Sequence, residues 1–209
     1  MHAFASVSLV VAGLAALGTG GSEPMPGNTH VQHAAQPEPV RRLGIADGWF
    51  GSWEGDIVAI APGVEPQRFT MRLDIERTPD NPAQAVWRIT YSGFPVQVGR
   101  PPEQVRDYRL IAKDAAKSAY VIDEGNGISL AATLFVVPGA GERLISVFEV
   151  EEAFVTSAYT LAPDASSLVF DLVWSRNTDA QRTGGDNGAP VVTSYRVGNT
   201  QRAMLTRIE

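Results

Sequence analysis

The chain has 209 residues, of which 44% are hydrophobic and 19% charged, a composition typical of a globular protein with one sizeable core. Its formal net charge of −6 disfavours a nucleic-acid partner, because phosphate binding needs clustered basic side chains. No cysteine is present, which excludes disulfides, thiolate nucleophiles and Cys-ligated metal sites.

The N-terminal region carries targeting and spacer features. An apolar run from Ala3 to Leu17, followed by small residues, predicts a signal peptide over residues 1–21. The run is shorter than the roughly 18 apolar residues that span a bilayer, so a membrane anchor is the weaker alternative. We expect export to the periplasm or the exterior, with no stable membrane span after cleavage. Residues 22–43 predict a flexible Pro-rich linker, on which His30 and His33 alone would not hold a metal ion.

Beyond the linker, apolar residues alternate with polar ones, as in strands that bury one face. The clearest case is Phe69 to Glu76, where every second residue is apolar. The pattern recurs near Trp87, Tyr108, Tyr120, Ile128–Val136, Leu144–Val150, Leu168–Trp174 and Val191–Val197.

The turn chemistry fits such strands. Asn126-Gly127 predicts a two-residue type I′ turn, and residues 176–190 predict a long loop, either plain or a functional lid. No helical periodicity is present. The sequence therefore predicts an all-β domain over residues 44–209, a single antiparallel up-and-down barrel of about ten strands.

Gly51-Ser52-Trp53, placed ahead of this meander, resembles the first strand of the calycin superfamily, which includes lipocalins, fatty-acid-binding proteins and nitrobindin-like barrels. In these families an Arg or Lys of the last strand often packs on that Trp. The resemblance implies that Trp53 and Arg207 close one end of the barrel, with Arg202 as second choice, and that the interior holds a small molecule.

Two differences from those families limit which of their features we expect in this chain. The short link between Ile60 and Phe69 leaves no room for the helical lid of fatty-acid-binding proteins. Nitrobindin-like barrels bind heme through a histidine, whereas the histidines here are His2, His30 and His33, all before the barrel. We therefore expect no heme or other cofactor, although a tyrosine is an alternative iron ligand.

If Trp53 points inward, alternate residues of every strand share its face. Aromatic rings with polar tips suit an apolar or amphipathic ligand, but the same residues are ordinary core-fillers. Arg106 would bind a carboxylate or phosphate group if it points inward, and would only be solvated at the rim, which is the favoured reading. The candidate ligand-binding residues are Trp87, Tyr91, Arg106, Tyr108, Tyr120, Phe148 and Trp174, with Phe170 and Tyr195 also assigned to the interior.

Catalytic signals are weak. The pairs Asp123-Glu124 and Glu151-Glu152, with Glu149, suit acid–base chemistry when buried but are more often surface residues of strand ends. A barrel without histidine cannot form a Ser-His-Asp triad, and we assign no catalytic residue. The sequence favours an exported binding barrel for a small hydrophobic or amphipathic molecule. The alternatives are a cofactor-free lyase or isomerase using Tyr, Arg and Glu, and an envelope interaction protein with a filled core.

Overall fold

Consecutive strands pair with one another around a closed antiparallel barrel, and the last strand returns to the first. The computed structural model describes residues 42–94, 101–178, 180–186 and 188–208. The predicted signal peptide and nearly all of the predicted linker, with its histidines, lie outside these residues. The barrel strands are β1 (Gly51–Ile60), β2 (Gln67–Arg77), β3 (Gln84–Ser92), β4 (Glu103–Asp114), β5 (Ala119–Asp123), β6 (Ser129–Val137), β7 (Gly141–Val150), β8 (Ala153–Leu161), β9 (Ser167–Arg176) and β12 (Val197–Ile208).

Two short 3₁₀ turns, η1 (Asp47–Trp49) and η2 (Ala115–Lys117), are the helical segments of the described chain. The prediction of an all-β, ten-stranded, up-and-down barrel without a helical lid is therefore confirmed. A membrane-crossing helix would have to be longer and more apolar than any helical segment that the structure describes.

The burial pattern explains why these segments form strands. In β2, Met71, Leu73 and Ile75 are buried on the inner face, while Arg72 between them is exposed. Alternation of this kind makes one face of each strand apolar, and closing the sheet removes those faces from water without leaving an edge.

One end of the barrel is closed by residues 42–50, which we call the plug. The backbone N–H of Leu43 donates to the carbonyl of Pro82 at 2.8 Å. The indole N–H of Trp49 donates to Glu142 Oε2 at 2.6 Å, and that of Trp53 donates to the Trp49 carbonyl at 3.0 Å. Both indoles are buried. The opposite end, where β1, β5 and β7 terminate, we call the loop end.

An ionic cluster lies on the outer wall beside the plug. Asp74 accepts hydrogen bonds from Ser52 Oγ at 2.5 Å and from Arg72 Nη2 at 2.9 Å. Burial by itself would raise the pKa of Asp74, but these hydrogen bonds outweigh it and hold the pKa below its ordinary value. The carboxylate is therefore stabilised in its charged form.

Two local predictions are wrong. The connection between Asp123 and Ser129 has positive φ at Gly125 and Gly127 and not at Asn126, so it is not a two-residue type I′ turn. The predicted strand from Val191 to Val197 is divided between two sheets. Its first part pairs in a separate hairpin, β10 (Gln181–Thr183) with β11 (Val192–Ser194), and its last residue begins β12.

Because the segment is divided, Tyr195 lies in a different place from the one predicted. Its side chain is 40% exposed and its ring lies 4.7 Å from that of Phe154. Phe154 is on the opposite face of β8 from the buried Ala153 and Val155. Tyr195 thus packs on the outer wall, and its predicted interior position is wrong because alternation within a segment does not reveal which sheet the segment joins.

Candidate ligand site

The half of the interior next to the plug is filled by packed side chains. Aromatic rings follow one another from the plug inward: Trp49 lies 5.9 Å from Trp87, Trp87 lies 5.0 Å from Tyr159, and Tyr159 lies 5.0 Å from Phe170. Tyr120 is also buried in this core. Of the predicted ligand-binding residues, Trp87 and Tyr120 therefore lie in the packed half.

The apolar packing does not extend evenly to the loop end. Ala59, Ala153 and Val155 are buried, yet they do not belong to the contiguous core formed by the other inward-facing buried side chains of the described residues. Phe148 and Trp174, which flank Val155 on β7 and β9, are partly buried and also stand apart from that core. We call the interior lined by these side chains the loop half.

Three predicted residues lie together on β3 and β4 at the loop half. Tyr91 and Tyr108 are partly buried and pack against the edge of the core. Arg106 alternates with the same face of β4 as Tyr108 and the buried Leu110, and it is paired with the buried Ile89 of β3. Arg106 thus lies on the inward-facing side of its strand, partly buried, with its charge acting on both phenols.

The two phenols are held in the neutral form. Burial raises the pKa of Tyr91 well above its ordinary value, and nearby Tyr108 adds to the effect. Burial, followed by the charge of Glu124, which also hydrogen-bonds the neutral phenol, raises the pKa of Tyr108 to about 12. The positive charge of Arg106 opposes both shifts without reversing them. Near neutral pH the phenol of Tyr91 therefore keeps its O–H donor, while the O–H of Tyr108 is donated to Glu124.

Aromatic rings extend this wall toward the loop end. Phe69 lies edge-on to Tyr91 with ring centres 6.0 Å apart, and 5.0 Å from Phe94. In the ring of ten strands β9 is five steps from β4, so Trp174 stands on the wall opposite Tyr108. The site therefore has an aromatic surface on both sides.

Trp174 is fixed in place by its neighbours. A Cβ added to Gly198 on β12 would overlap the indole ring, so glycine is what lets the ring lie against that strand. The guanidinium of Arg176 lies 5.6 Å from the ring centre. A ring confined in this way offers a flat apolar surface at little entropic cost on binding.

Asn199 and Gln201, which sequence reasoning missed, also line the loop half. They alternate with the buried Ala203 and Leu205 of β12, so all four share the inner face. The alternation predicted from the sequence ended at Val197, and the resemblance placed only Arg207 and Arg202 on the last strand, so neither amide was assigned to the interior. Polar residues at alternate positions before Ala203 and Leu205 were the available signal.

The acidic residues considered as acid–base candidates lie in different surroundings. Glu124 interacts with Tyr108, as described above. Asp123 is paired on the outer wall with Arg109 at 2.9 Å, and Glu149 accepts a hydrogen bond from Asn177 Nδ2 at 2.5 Å. Only Glu124 among these three is brought to the candidate site. Within the described ranges no group of three or more His, Asp or Glu side chains is placed to hold a metal ion.

Comparisons with known proteins give likenesses to solved structures. No family model matches the chain, and a search of curated proteins found no similar sequence. Among solved structures the chain is similar to that of Rv2717c from M. tuberculosis, with a TM-score of 0.36 and 10% sequence identity. The match covers 78% of this chain and 94% of that one.

Proposed function

We propose that this protein binds a small amphipathic molecule in the loop half of its barrel. The observation that carries the proposal is the end of the core packing: Ala59, Ala153 and Val155 are buried without joining the core. Buried apolar side chains in a filled interior contact one another, because protein cores are packed as densely as organic crystals. Side chains that stand apart from the core are those expected to line a ligand cavity.

The chemistry of the walls indicates the kind of ligand. Trp174 and Val155 offer an apolar surface, while the phenol of Tyr91 offers a hydrogen-bond donor near the positive charge of Arg106. A carboxylate or phosphate accepts from both kinds of group. The ligand would therefore have an apolar body and one acidic group.

Calycin membership and export belong to the same proposal. The first is supported by Gly51-Ser52-Trp53 at the start of β1 and by Arg207, whose guanidinium carbon lies 4.3 Å from the Trp53 ring centre. The second is supported by the apolar run Ala3–Leu17. N-terminal sequencing of protein recovered from its native host tests export, since an uncleaved Met1 in all of it would contradict residues 1–21 as a signal peptide.

A matched pair of enlargements tests the cavity. Ala59 and Ala132 are both buried and inward-facing, but only Ala132 belongs to the core. We expect Ala132→Leu to lower the free energy of unfolding in urea by about 1–3 kcal/mol, the usual effect of overpacking, and Ala59→Leu to change it far less. The fluorescent fatty acid cis-parinaric acid should bind the wild type saturably and Ala59→Leu at least fivefold more weakly.

A filled core predicts the opposite result. Equal destabilisation by the two leucines, together with no saturable binding of cis-parinaric acid or of any other amphiphile in a broad panel, would indicate a filled core. That outcome would favour the envelope interaction protein over the binding barrel.

The second candidate function is a cofactor-free lyase or isomerase, favoured by the contact between Tyr108 and Glu124. A neutral phenol beside a carboxylate is able to donate a proton while the carboxylate accepts one. If a substrate is found, Glu124→Gln should reduce kcat strongly and leave affinity largely unchanged. A binding protein would show no turnover with either form.

A further inference from the structure

The two side-chain amides on the inner face of β12 lie among apolar neighbours. In the barrel register Asn199 is paired with Trp174, and Gln201 is paired with Leu172 on one side and Ala59 on the other. Gln201 is only 8% exposed. From these positions toward the plug the same face of β12 continues with the buried apolar Ala203 and Leu205.

The carbonyl oxygen of one of these amides has no partner in the protein. The Oδ1 atom of Asn199 is buried and has no hydrogen-bond partner within the part of the chain that the structure describes. Buried polar groups in native proteins nearly always have partners, because leaving one unpaired is unfavourable.

We propose that Asn199 recognises an uncharged N–H or O–H group of the ligand through its unpaired Oδ1 atom, with Gln201 beside it on the same face. This inference rests on the proposed function and specifies the ligand class further. No charged residue is paired with either amide on the neighbouring strands, where the partners are Trp174, Leu172 and Ala59. A cationic ammonium would be desolvated there without a counter-charge, whereas a neutral donor needs only the amide oxygens.

The position of β12 sets where that group must be. In the ring of ten strands β12 is four steps from β4, which places the amides across the interior from Arg106. A ligand that satisfies both walls carries its acidic group and its neutral donor at opposite ends of an apolar body. The apolar body would lie along Trp174, the partner of Asn199.

The fluorescent probe 2-anilinonaphthalene-6-sulfonate separates the two groups across a naphthalene ring, with the sulfonate at one end of that ring and, at the other, an N–H that links it to a phenyl ring. Its N-methyl analogue keeps the charge and the rings but cannot donate. We expect the full-length protein to bind the N–H probe about tenfold more tightly than the analogue, the discrimination expected when a buried acceptor is left unpaired. In Asn199→Leu the two probes should bind with equal affinity. Thr200→Val, on the same strand with the side chain on the other face, should keep the wild-type preference.

The stability of the unliganded variant separates recognition from a structural role. If Asn199 is unpaired until a ligand arrives, Asn199→Leu should unfold at the same or a higher temperature than the wild type. Lower stability in Asn199→Leu, or a retained preference for the N–H probe, would overturn the inference. If the wild type binds both probes with equal affinity, only the recognition role of the amide is refuted. If neither probe nor cis-parinaric acid binds, the proposed function itself is refuted.

Discussion

Replacing Arg207 with alanine should reveal how much the plug depends on one side chain. Its guanidinium donates from Nη1 to the Phe50 carbonyl at 2.6 Å and from Nη2 to the Gly48 carbonyl at 2.7 Å, and it lies over the Trp53 ring. Each charge-assisted hydrogen bond contributes about 1 kcal/mol at an exposed position, and the cation–π contact about another 1 kcal/mol. We therefore expect Arg207→Ala to lower the free energy of unfolding by about 3 kcal/mol.

Urea denaturation followed by tryptophan fluorescence measures this change, and the native emission should also shift to the red because Trp53 loses its cover. Arg202→Ala is the matched control on the same strand. Arg202 lies 3.7 Å from Asp171, and their side chains are 70% and 35% exposed, so its loss should change stability by less than about 0.5 kcal/mol. Equal, small effects of the two substitutions would show that Arg207 does not hold the plug to the barrel.

Three further substitutions test other parts of the structure. Gly51→Ala should destabilise the protein by roughly 1–3 kcal/mol, because φ is +132° there and an added Cβ would overlap the Arg207 guanidinium; wild-type stability in urea would count against this. The pKa of Asp74 is depressed in the folded state below its ordinary value of 3.8, so its contribution is complete above that pH and is lost as the pH falls through the folded pKa. Asp74→Asn should therefore lower the melting temperature at pH 7 and make it less dependent on pH below 4, and an unchanged acid profile would contradict that reasoning. Tyr195→Ala should leave global stability nearly unchanged but speed proteolysis in the β10–β11 hairpin, which limited digestion and mass spectrometry would detect; equal cleavage rates would show that the outer-wall ring contact does not restrain the hairpin.

The strand pattern could be predicted because burial on one face imposes a period of two. Phe69 to Glu76 shows that period, and β2 covers it. Residues 191–197 show the same period but belong to two sheets. What separates them is pairing with β10 or with β9, and pairing between distant segments leaves no trace in the local alternation. The prediction of a two-residue turn at Asn126-Gly127 was wrong for a related reason, because the length of a loop depends on which residues of the flanking strands pair.

The site was harder to predict because alternation gives the face of a side chain and not its depth along the barrel. Trp87 and Tyr91 are on one face of one strand, yet Trp87 packs near Trp49 of the plug and Tyr91 lies by Phe69 toward the loop end. The position of the plug decides which of them lies in the filled half. The plug is positioned by contacts of residues far apart in sequence, such as Trp49 with Glu142.

The two halves of the interior therefore have different energetic roles, and this has a measurable consequence. The plug half gains stability from dense packing and from Arg207, so it tolerates few changes. Under the proposed function, that stability offsets the cost of leaving Asn199 Oδ1 unpaired in the loop half until a ligand binds. If the roles are separate, Arg207→Ala should lower the free energy of unfolding and preserve the preference for the N–H probe. Asn199→Leu should keep or raise the stability and abolish that preference. The stability effects in the double variant should then add within about 0.5 kcal/mol, and a larger deviation would mean that the plug also shapes the site.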